Sequence, residues 1–542
     1  MFLPLVLGTL IPTSFAMGQA EWVPDVWHLG YPDVIASGQE GGRPPAAGDR
    51  RVTLGPMEYW VARAQGNADP DHPRVIESTP IGLGTALSDR RQADSEIEEF
   101  RVALQLRPDD AATHYNRGRA WVDKGQMDAA IAEFRKALKL RPDDVPSHVG
   151  LGMALAGKGQ TDAAIAEFRE ALRLQPNDPA AHIGLGTALA AKGQTDDAIA
   201  QFRAALKLRY DDALAHYDLG TALATIGDED GAIAEFREAL KLRPDDVHSY
   251  IGMGTMLAGK GQEEAAIAEF RKALKIQPDD VSAHYNLGTA LASIGDINGA
   301  IAEYYEVIRL KPDHAWAFVG LGTALEAKGD YAGALAAFKT GHEMGSKTHG
   351  WPYPSDRWVS EAERMVKLEA RLPALMRGED RPANPEEAIG FATVSRPKGY
   401  HATAARWYQY AFAKQPSLAA DMASAARYFA AADAVKAGCG QTEEAQKPDE
   451  ATRASLRKQA LEWLRANLEW RTDQIKSGTP EARLEAQHIL KFYQRDAALA
   501  CVRGKAELAK LPEDERTAWG NFWAQVDEQL AKLTVQTNSH SR

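Results

Sequence analysis

The sequence predicts an all-α solenoid of stacked helix-turn-helix units, and three observations carry that prediction. A 34-residue period runs through the chain without insertion or deletion. It places the proline of the phrase LRPDD and its variants at Pro108, Pro142, Pro176, Pro244, Pro278 and Pro312, with Tyr210 in the remaining slot. A glycine column keeps the same spacing at Gly84, Gly118, Gly152, Gly186, Gly220, Gly254, Gly288 and Gly322. Within each period two stretches carry apolar residues at helical spacing, and a glycine separates them. Units of this kind cannot bury their apolar faces alone, so they stack on their neighbours into one continuous core.

Taken in chain order, residues 1–20 open with a mostly apolar stretch (FLPLVLGTLIPTSFA) that ends in Gly18, Gln19 and Ala20, as in a cleaved secretory leader. No Lys or Arg precedes it, and Pro4 and Pro12 interrupt it. It is also shorter than the roughly 20 apolar residues of a spanning helix. A cytoplasmic chain is therefore favoured over an exported one, with a start at Met17 as a further alternative. Residues 21–76 carry no period and include the Gly/Pro-rich passage SGQEGGRPPAAGDRR, which reads as linker. Residues 77–348 then hold eight units of 34. In the first, Arg91 replaces the mid-unit glycine and Glu96 a small residue, which makes it a degenerate capping unit. Residues 349–542 are helical in pattern and hold seven of the chain's 12 tryptophans. Residues 385–418 keep Gly399, Ala404, Tyr408, Ala411 and Pro416 in register but have Pro397 inside their first helix, so they read as a degenerate unit.

Residues 145–178 show why one period makes two helices. Val149, Leu151 and Leu155 follow one face of a first helix, and Ala164, Ile165, Phe168, Ala171 and Leu172 follow one face of a second. Gly159 stands where the first helix must stop, since glycine accepts the left-handed conformation of a helix end. Thr161 and Asp162 are placed to cap the second helix, and Asp178 after Pro176 to cap the next unit. Small residues at the Gly152 and Ala164 positions allow close helix approach. The ring column Phe134, Phe168, Phe202, Phe236, Phe270, Tyr304 and Phe338 fills the space between.

This pattern resembles the tetratricopeptide repeat (TPR) family. Residues 281–314 match its large residue, Leu-Gly, mid-repeat Gly, Ala, aromatic and closing Pro at His284, Leu287, Gly288, Gly295, Ala300, Tyr304 and Pro312, with Ile308 at its last small or aliphatic position. The resemblance covers 111–348 closely and 77–110 weakly. It implies a right-handed superhelical solenoid whose concave surface is lined by the first helix of each repeat. One departure runs through the array: the usual Trp is replaced by His114, His148, His182, His216, His284, Tyr250 and Phe318. The phrase LRKQALEWLRANLEW and the composition around it resemble C-terminal segments of large bacterial proteins in which a Ser/Thr kinase domain precedes TPRs. No kinase signature occurs here.

Composition narrows the chemistry. A net charge of -12 argues against nucleic acid as the principal partner. The two cysteines, Cys439 and Cys501, read as packed thiols, with a single disulfide as the alternative. The histidine column repeats every 34 residues on equivalent helices, so its members point the same way, whereas a tetrahedral metal site needs nitrogens about 2 Å from one ion. Packing in the Trp position is the better account. Gly152–Lys158 and Gly254–Lys260 nearly spell a phosphate loop, but Gly159 and Gly261 stand where Ser or Thr is required, and no strand precedes either. No catalytic, cofactor or metal constellation is expected.

What remains is the concave face. The resemblance assigns six first-helix positions per unit to it, and over eight units those 48 positions hold five charges, Asp89, Arg119, Asp123, Asp218 and Glu326. Composition alone would give about twelve at the chain's 25% charged content. The expected partner surface consists of Tyr115, Asn116, Arg119, Ile183, Thr187, Tyr217, Asp218, Thr221, Ile251, Thr255, Tyr285, Asn286 and Thr289. It is expected to bind a peptide or protein segment through apolar contact and hydroxyl hydrogen bonds. Two alternatives stay open: the position holding Tyr, Ile or Val packs against the neighbouring helix, or the glycines Gly150, Gly184, Gly252 and Gly320 accommodate a neighbour rather than a ligand. The function expected is a non-enzymatic interaction scaffold. The alternatives are a non-catalytic relative or partner of a kinase signalling protein, a transferase activity in 349–542, and self-association through the Trp-rich C-terminal helices.

Overall fold

The computed structural model describes residues 86–347, 355–420, 425–477 and 480–539. The leader-like stretch, the linker reading and the start of the first unit lie outside the described residues. A first compact unit ends at Lys260, and a second runs from Gly261 to Arg542. Helix α1 (Ala86–Leu106) opens the first unit as one continuous 21-residue helix. Arg91 and Glu96 lie inside it, because without the glycine nothing breaks the backbone there. The pairs α2 (Ala111–Asp123) and α3 (Met127–Leu140), α4 (Val145–Gly157) and α5 (Thr161–Leu174), α6 (Pro179–Ala191) and α7 (Thr195–Leu208), and α8 (Ala213–Thr225) and α9 (Glu229–Leu242) follow, then α10 (Val247–Gly259).

The punctuation follows the local chemistry. Asp178 caps α6 by accepting a hydrogen bond from the Ala181 amide at 2.7 Å, and Asp144, Asp212 and Asp246 cap α4, α8 and α10 in the same way. Gly159 takes φ +71° after α4, where a residue with a Cβ would be strained. The expected cap of α5 is corrected: the helix begins at Thr161 with Gln160 as a cap residue that makes no side-chain bond.

Stacking depends on one aromatic ring per unit. Phe168 on α5 is buried between Gly152 of its own unit and Gly184 of the next. A Cβ built on those glycines would lie 2.8 and 2.4 Å from the ring, so only glycine admits it. Phe134 sits in the same way between Gly118 and Gly150, and Phe236 between Gly220 and Gly252. The neighbour, not a ligand, is therefore what Gly150, Gly184 and Gly252 accommodate. Burying each ring contributes about 1.5–3 kcal/mol.

The histidine column does more than pack. His148 Nδ1 lies 2.7 Å from a Glu167 carboxylate oxygen on α5, and its Nε2 is 3.0 Å from the Pro142 carbonyl at the preceding junction. His114, His182 and His216 bridge in the same pattern. Both ring nitrogens are thus committed within the fold. The near phosphate loops dissolve as expected, with Gly152 against Phe168 and Lys158 paired to Asp128 across units.

In the second unit, α11 (Glu263–Ile276) is followed by the pairs α12 (Val281–Ser293) and α13 (Ile297–Leu310), then α14 (Ala315–Lys328) and α15 (Tyr331–Ser346). Tyr304 here takes the ring's place between Gly288 and Gly320, and His284 repeats the bridge to Glu303 and Pro278. The long helix α16 (Ser355–Met376) precedes another hairpin, α17 (Pro385–Ser395) and α18 (His401–Lys414). Residues Arg396–Lys398, with Pro397, form a 3₁₀ turn that ends α17, and Gly399 follows at φ +75°. Beyond the short α19 (Ser417–Ala420) stand α20 (Ala426–Gly438), α21 (Glu450–Ser477), α22 (Pro480–Arg495), the short α23 (Lys505–Leu508) and α24 (Glu513–Ser539).

One reading of this region needs correction. Cys439 and Cys501 are not free thiols but a disulfide that joins the end of α20 to the 3₁₀ turn Ala497–Val502. Their 62-residue separation gave no sequence signal of proximity. Two of the tryptophans are internal: Trp519 and Trp523 are buried in the core with Leu464, Val435 and Phe522, and the Trp523 indole donates to the Val502 carbonyl at 2.7 Å. Among the described residues only Trp470, 38% exposed, counts as an exposed tryptophan.

Two outcomes follow for stability. Gly184→Ala is expected to destabilise the chain by about 1–3 kcal/mol through overpacking on Phe168, although alanine favours helix by about 1 kcal/mol. Urea unfolding measures it, and a Phe168→Leu partner change should recover part of the loss. Reducing the disulfide removes a long loop closure, so Cys439→Ser is expected to lower stability by roughly 4 kcal/mol. Its calorimetric transition should fall to that of the wild type in dithiothreitol.

Candidate partner surface

In the first unit the first helices α2, α4, α6 and α8 each lie against the next first helix, ending at α10, whereas successive second helices approach one another less. The first helices therefore form the inner wall of that array. In the second unit α12 and α14 are neighbours in the same sense.

The wall alternates between two kinds of rung. Where the sixth position of a unit is glycine, the fifth is aliphatic and enclosed: Val149, Ile183, Ile251 and Val319 are all buried, Ile183 and Ile251 at 0% exposure. Where the sixth position is Asn or Asp, the fifth is a half-buried tyrosine: Tyr115 with Asn116, Tyr217 with Asp218, Tyr285 with Asn286. Without a Cβ at the sixth position, the preceding unit's ring moves onto the backbone and the aliphatic residue seals that contact. Ile183 and Ile251 are thus corrected from partner contacts to core.

Each tyrosine leans on the ring of its own second helix, with centroids 5.9 Å apart for Tyr115 and Phe134, 5.8 Å for Tyr217 and Phe236, and 6.0 Å for Tyr285 and Tyr304. Tyr217 also meets His248 at 6.3 Å, and Tyr285 meets His314 at 5.3 Å. Burial raises the Tyr115 phenol above its ordinary value, while Arg119 one turn on, which hydrogen-bonds it, opposes the rise. Tilted against those neighbours, the rings are held in place and stay part-exposed.

The hydroxyl row also reads differently in three dimensions. Thr187, Thr221, Thr255 and Thr289 donate to the carbonyls of Ile183, Tyr217, Ile251 and Tyr285 four residues back, at 2.9–3.1 Å. A hydroxyl has one hydrogen, so these threonines offer an incoming chain acceptors rather than donors. Thr187 lies 3.5 Å from an Asp218 carboxylate oxygen as well, and Tyr304 reaches Thr289 at 3.3 Å.

The first unit therefore collects Tyr115, Asn116, Arg119, Thr187, Tyr217, Asp218, Thr221 and Thr255 on its inner wall, and the second unit carries Tyr285, Asn286 and Thr289 on α12. The alternation of Tyr-polar with aliphatic-Gly pairs was visible in the sequence and would have separated exposed from enclosed rungs. Among the described residues no group of three His, Cys, Asp or Glu could hold a metal ion, and no helix is long and apolar enough to cross a membrane.

Comparison with known proteins agrees with this geometry. The family described as Tetratricopeptide repeat matches residues 184–247 and 281–314, and that described as TPR repeat matches 118–159, 152–193 and 254–295. The likeness of the C-terminal region to kinase-linked segments is not borne out, since these matches lie within the repeats. No curated protein matches the chain. Among solved structures, YrrB, titled a TPR protein with an unusual peptide-binding site, is 27% identical, with 34% of this chain and 96% of that one covered at a TM-score of 0.30. MamA is 28% identical, with 30% and 94% covered and a TM-score of 0.28. MamA from Desulfovibrio magneticus RS-1 is 23% identical, with 31% and 96% covered and a TM-score of 0.29. Residues 118–247 and 254–314 of this chain are thus matched as tetratricopeptide repeats, and the array they form is a tetratricopeptide repeat array.

Proposed function

We propose that this chain is a non-enzymatic scaffold that holds a peptide or protein segment against the inner wall of its repeats. Tetratricopeptide repeats imply a protein-protein interaction scaffold. The single observation that carries the finer reading is the set of part-exposed tyrosines, each beside an Asn or Asp, on a wall otherwise depleted of charge. Rings offer flat apolar contact with little entropy to lose. The threonine oxygens and the Asn side chains accept from the backbone amides of an extended segment, and Arg119 supplies a donor.

The test uses a peptide array probed with the full chain. Tyr115→Ser combined with Tyr217→Ser is expected to weaken the retained peptides at least tenfold, about 1.4 kcal/mol, with a modest fall in the urea midpoint because each ring also packs on the ring of its own second helix. Ile251→Ala should behave in the opposite way, lowering stability by about 2–5 kcal/mol with no selective loss of binding. Unchanged binding in the double tyrosine variant would sink the proposal.

The Cys439–Cys501 disulfide supports an oxidising compartment, where such bonds persist. Export, with residues 1–20 as the leader, is accordingly preferred to the cytoplasmic reading. Thiol alkylation of intact native cells is expected to label neither cysteine, and two labelled thiols would return the chain to the cytoplasm.

A further inference from the structure

Four first-helix histidines have both ring nitrogens against oxygen, with a carboxylate on one side and a main-chain carbonyl on the other. His148 is 2.7 Å from Glu167 and 3.0 Å from the Pro142 carbonyl. His216 is 2.6 Å from Glu235 and 2.9 Å from the Tyr210 carbonyl. His284 is 2.5 Å from Glu303 and 2.9 Å from the Pro278 carbonyl. His114 stands between Glu133 and the Pro108 carbonyl at 2.7 and 3.1 Å. A carbonyl oxygen only accepts, so Nε2 must carry hydrogen. An ionised carboxylate only accepts as well, so Nδ1 must carry hydrogen too. A neutral imidazole has a single ring hydrogen. The bridge is therefore complete only when the histidine-carboxylate pair holds one extra proton, which resides on the ring because imidazole is the stronger base.

We propose that His216 and His284 are proton-operated latches, each tying its unit's second helix to the preceding junction as an imidazolium and releasing that tie when the proton leaves.

The chain contains its own contrasts. His182 makes the same two contacts, but to the neutral amide of Gln201 at 2.8 Å and to the Pro176 carbonyl at 3.0 Å. An amide can turn its nitrogen toward an unprotonated Nδ1, so no extra proton is required there. Tyr250 keeps the junction bond alone, its hydroxyl donating to the Pro244 carbonyl at 3.2 Å. At His114 the carboxylate of Glu133 is also met by Arg117 at 2.6 Å and Lys136 at 2.9 Å. Burial would raise that carboxyl, but its bonds from Arg117, His114 and Lys136 bring it down to about 2. Permanent cations thus hold Glu133 whatever the state of the ring, and His114 is not counted as a latch.

The charges around the two latches favour the proton. Glu238 near His216 is paired with Lys241 and bonded to Tyr210; Glu306 near His284 is paired with Arg309. The Tyr210 ring also stands edge-on to His216 at 5.1 Å. Burial pushes the His216 ring down, yet the bonds to Glu235 and the Tyr210 carbonyl outweigh it and raise the ring above its ordinary value. At His284 the Glu303 bond is the largest influence and, with the Pro278 carbonyl, overcomes burial in the same direction. A group raised on folding stabilises fully below its unfolded value, about 6.5 for histidine, and loses that contribution as pH rises through the folded value. The repeats should accordingly weaken on the alkaline side of neutrality.

The experiment compares thermal unfolding of the full chain at pH 6.0 and pH 8.5 with that of the double variant His216→Tyr/His284→Tyr, patterned on Tyr250. The wild-type midpoint is expected to fall by about 2 °C or more, and the variant's by less than half as much. Should the tyrosines disturb packing, Glu235→Gln/Glu303→Gln, patterned on Gln201, should show the same flattening. Nitrogen-15 histidine spectra of the folded wild type at pH 6.0 should show both ring nitrogens of the two residues protonated. Equal pH dependence in wild type and both variants, or neutral rings at pH 6.0, would overturn the proposal.

Discussion

The repeats depend on one contact, an aromatic ring held between two glycines that belong to successive first helices. At Phe168 the space on either side is smaller than a methyl group, so the ring fixes how close its own helix and the next one come. Everything on the inner wall inherits that spacing. Aliphatic residues seal the rung where the sixth position is glycine, and tyrosine is left half-buried where a side chain occupies that position. The helical price of two mid-helix glycines, about 1 kcal/mol each, is offset by the burial of the ring they admit.

Around this apolar contact the chain arranges polar ties between units. The histidine bridges connect a junction carbonyl to a second-helix carboxylate, largely out of water, where such bonds are stronger and an unmade one is costly. The Lys–Asp pairs between units, such as Lys192 with Asp162 at 2.6 Å, sit in solvent and contribute little. The units are therefore held first by packing, then by buried hydrogen bonds, and least by surface charge. The last C-terminal helices use a different solution, a core around Leu464, Val435 and Trp519 closed by the Cys439–Cys501 bond.

The partner surface was legible only in part. Tyr115, Tyr217 and Tyr285 could be named because their column faces inward in every unit, and the structure keeps them partly open to solvent. Ile183 and Ile251 occupy the same column yet are enclosed, because exposure depends on whether the preceding unit's ring has moved onto a glycine next door. The threonines were readable as a row, but which way their hydroxyl hydrogens point depends on helix geometry that places a carbonyl four residues back within reach.

By itself the sequence determined the helix pairs and their limits. A helix boundary is a local matter of spacing, an aspartate cap and a glycine able to take positive φ, and each of these recurs every 34 residues. Tertiary structure alone decided the partners of groups far apart in the chain. Cys439 meets Cys501 across 62 residues, and each histidine finds a carboxylate or amide 19 residues ahead and a carbonyl six behind. Those pairings follow from how helices stack in space, which no single stretch of the sequence encodes.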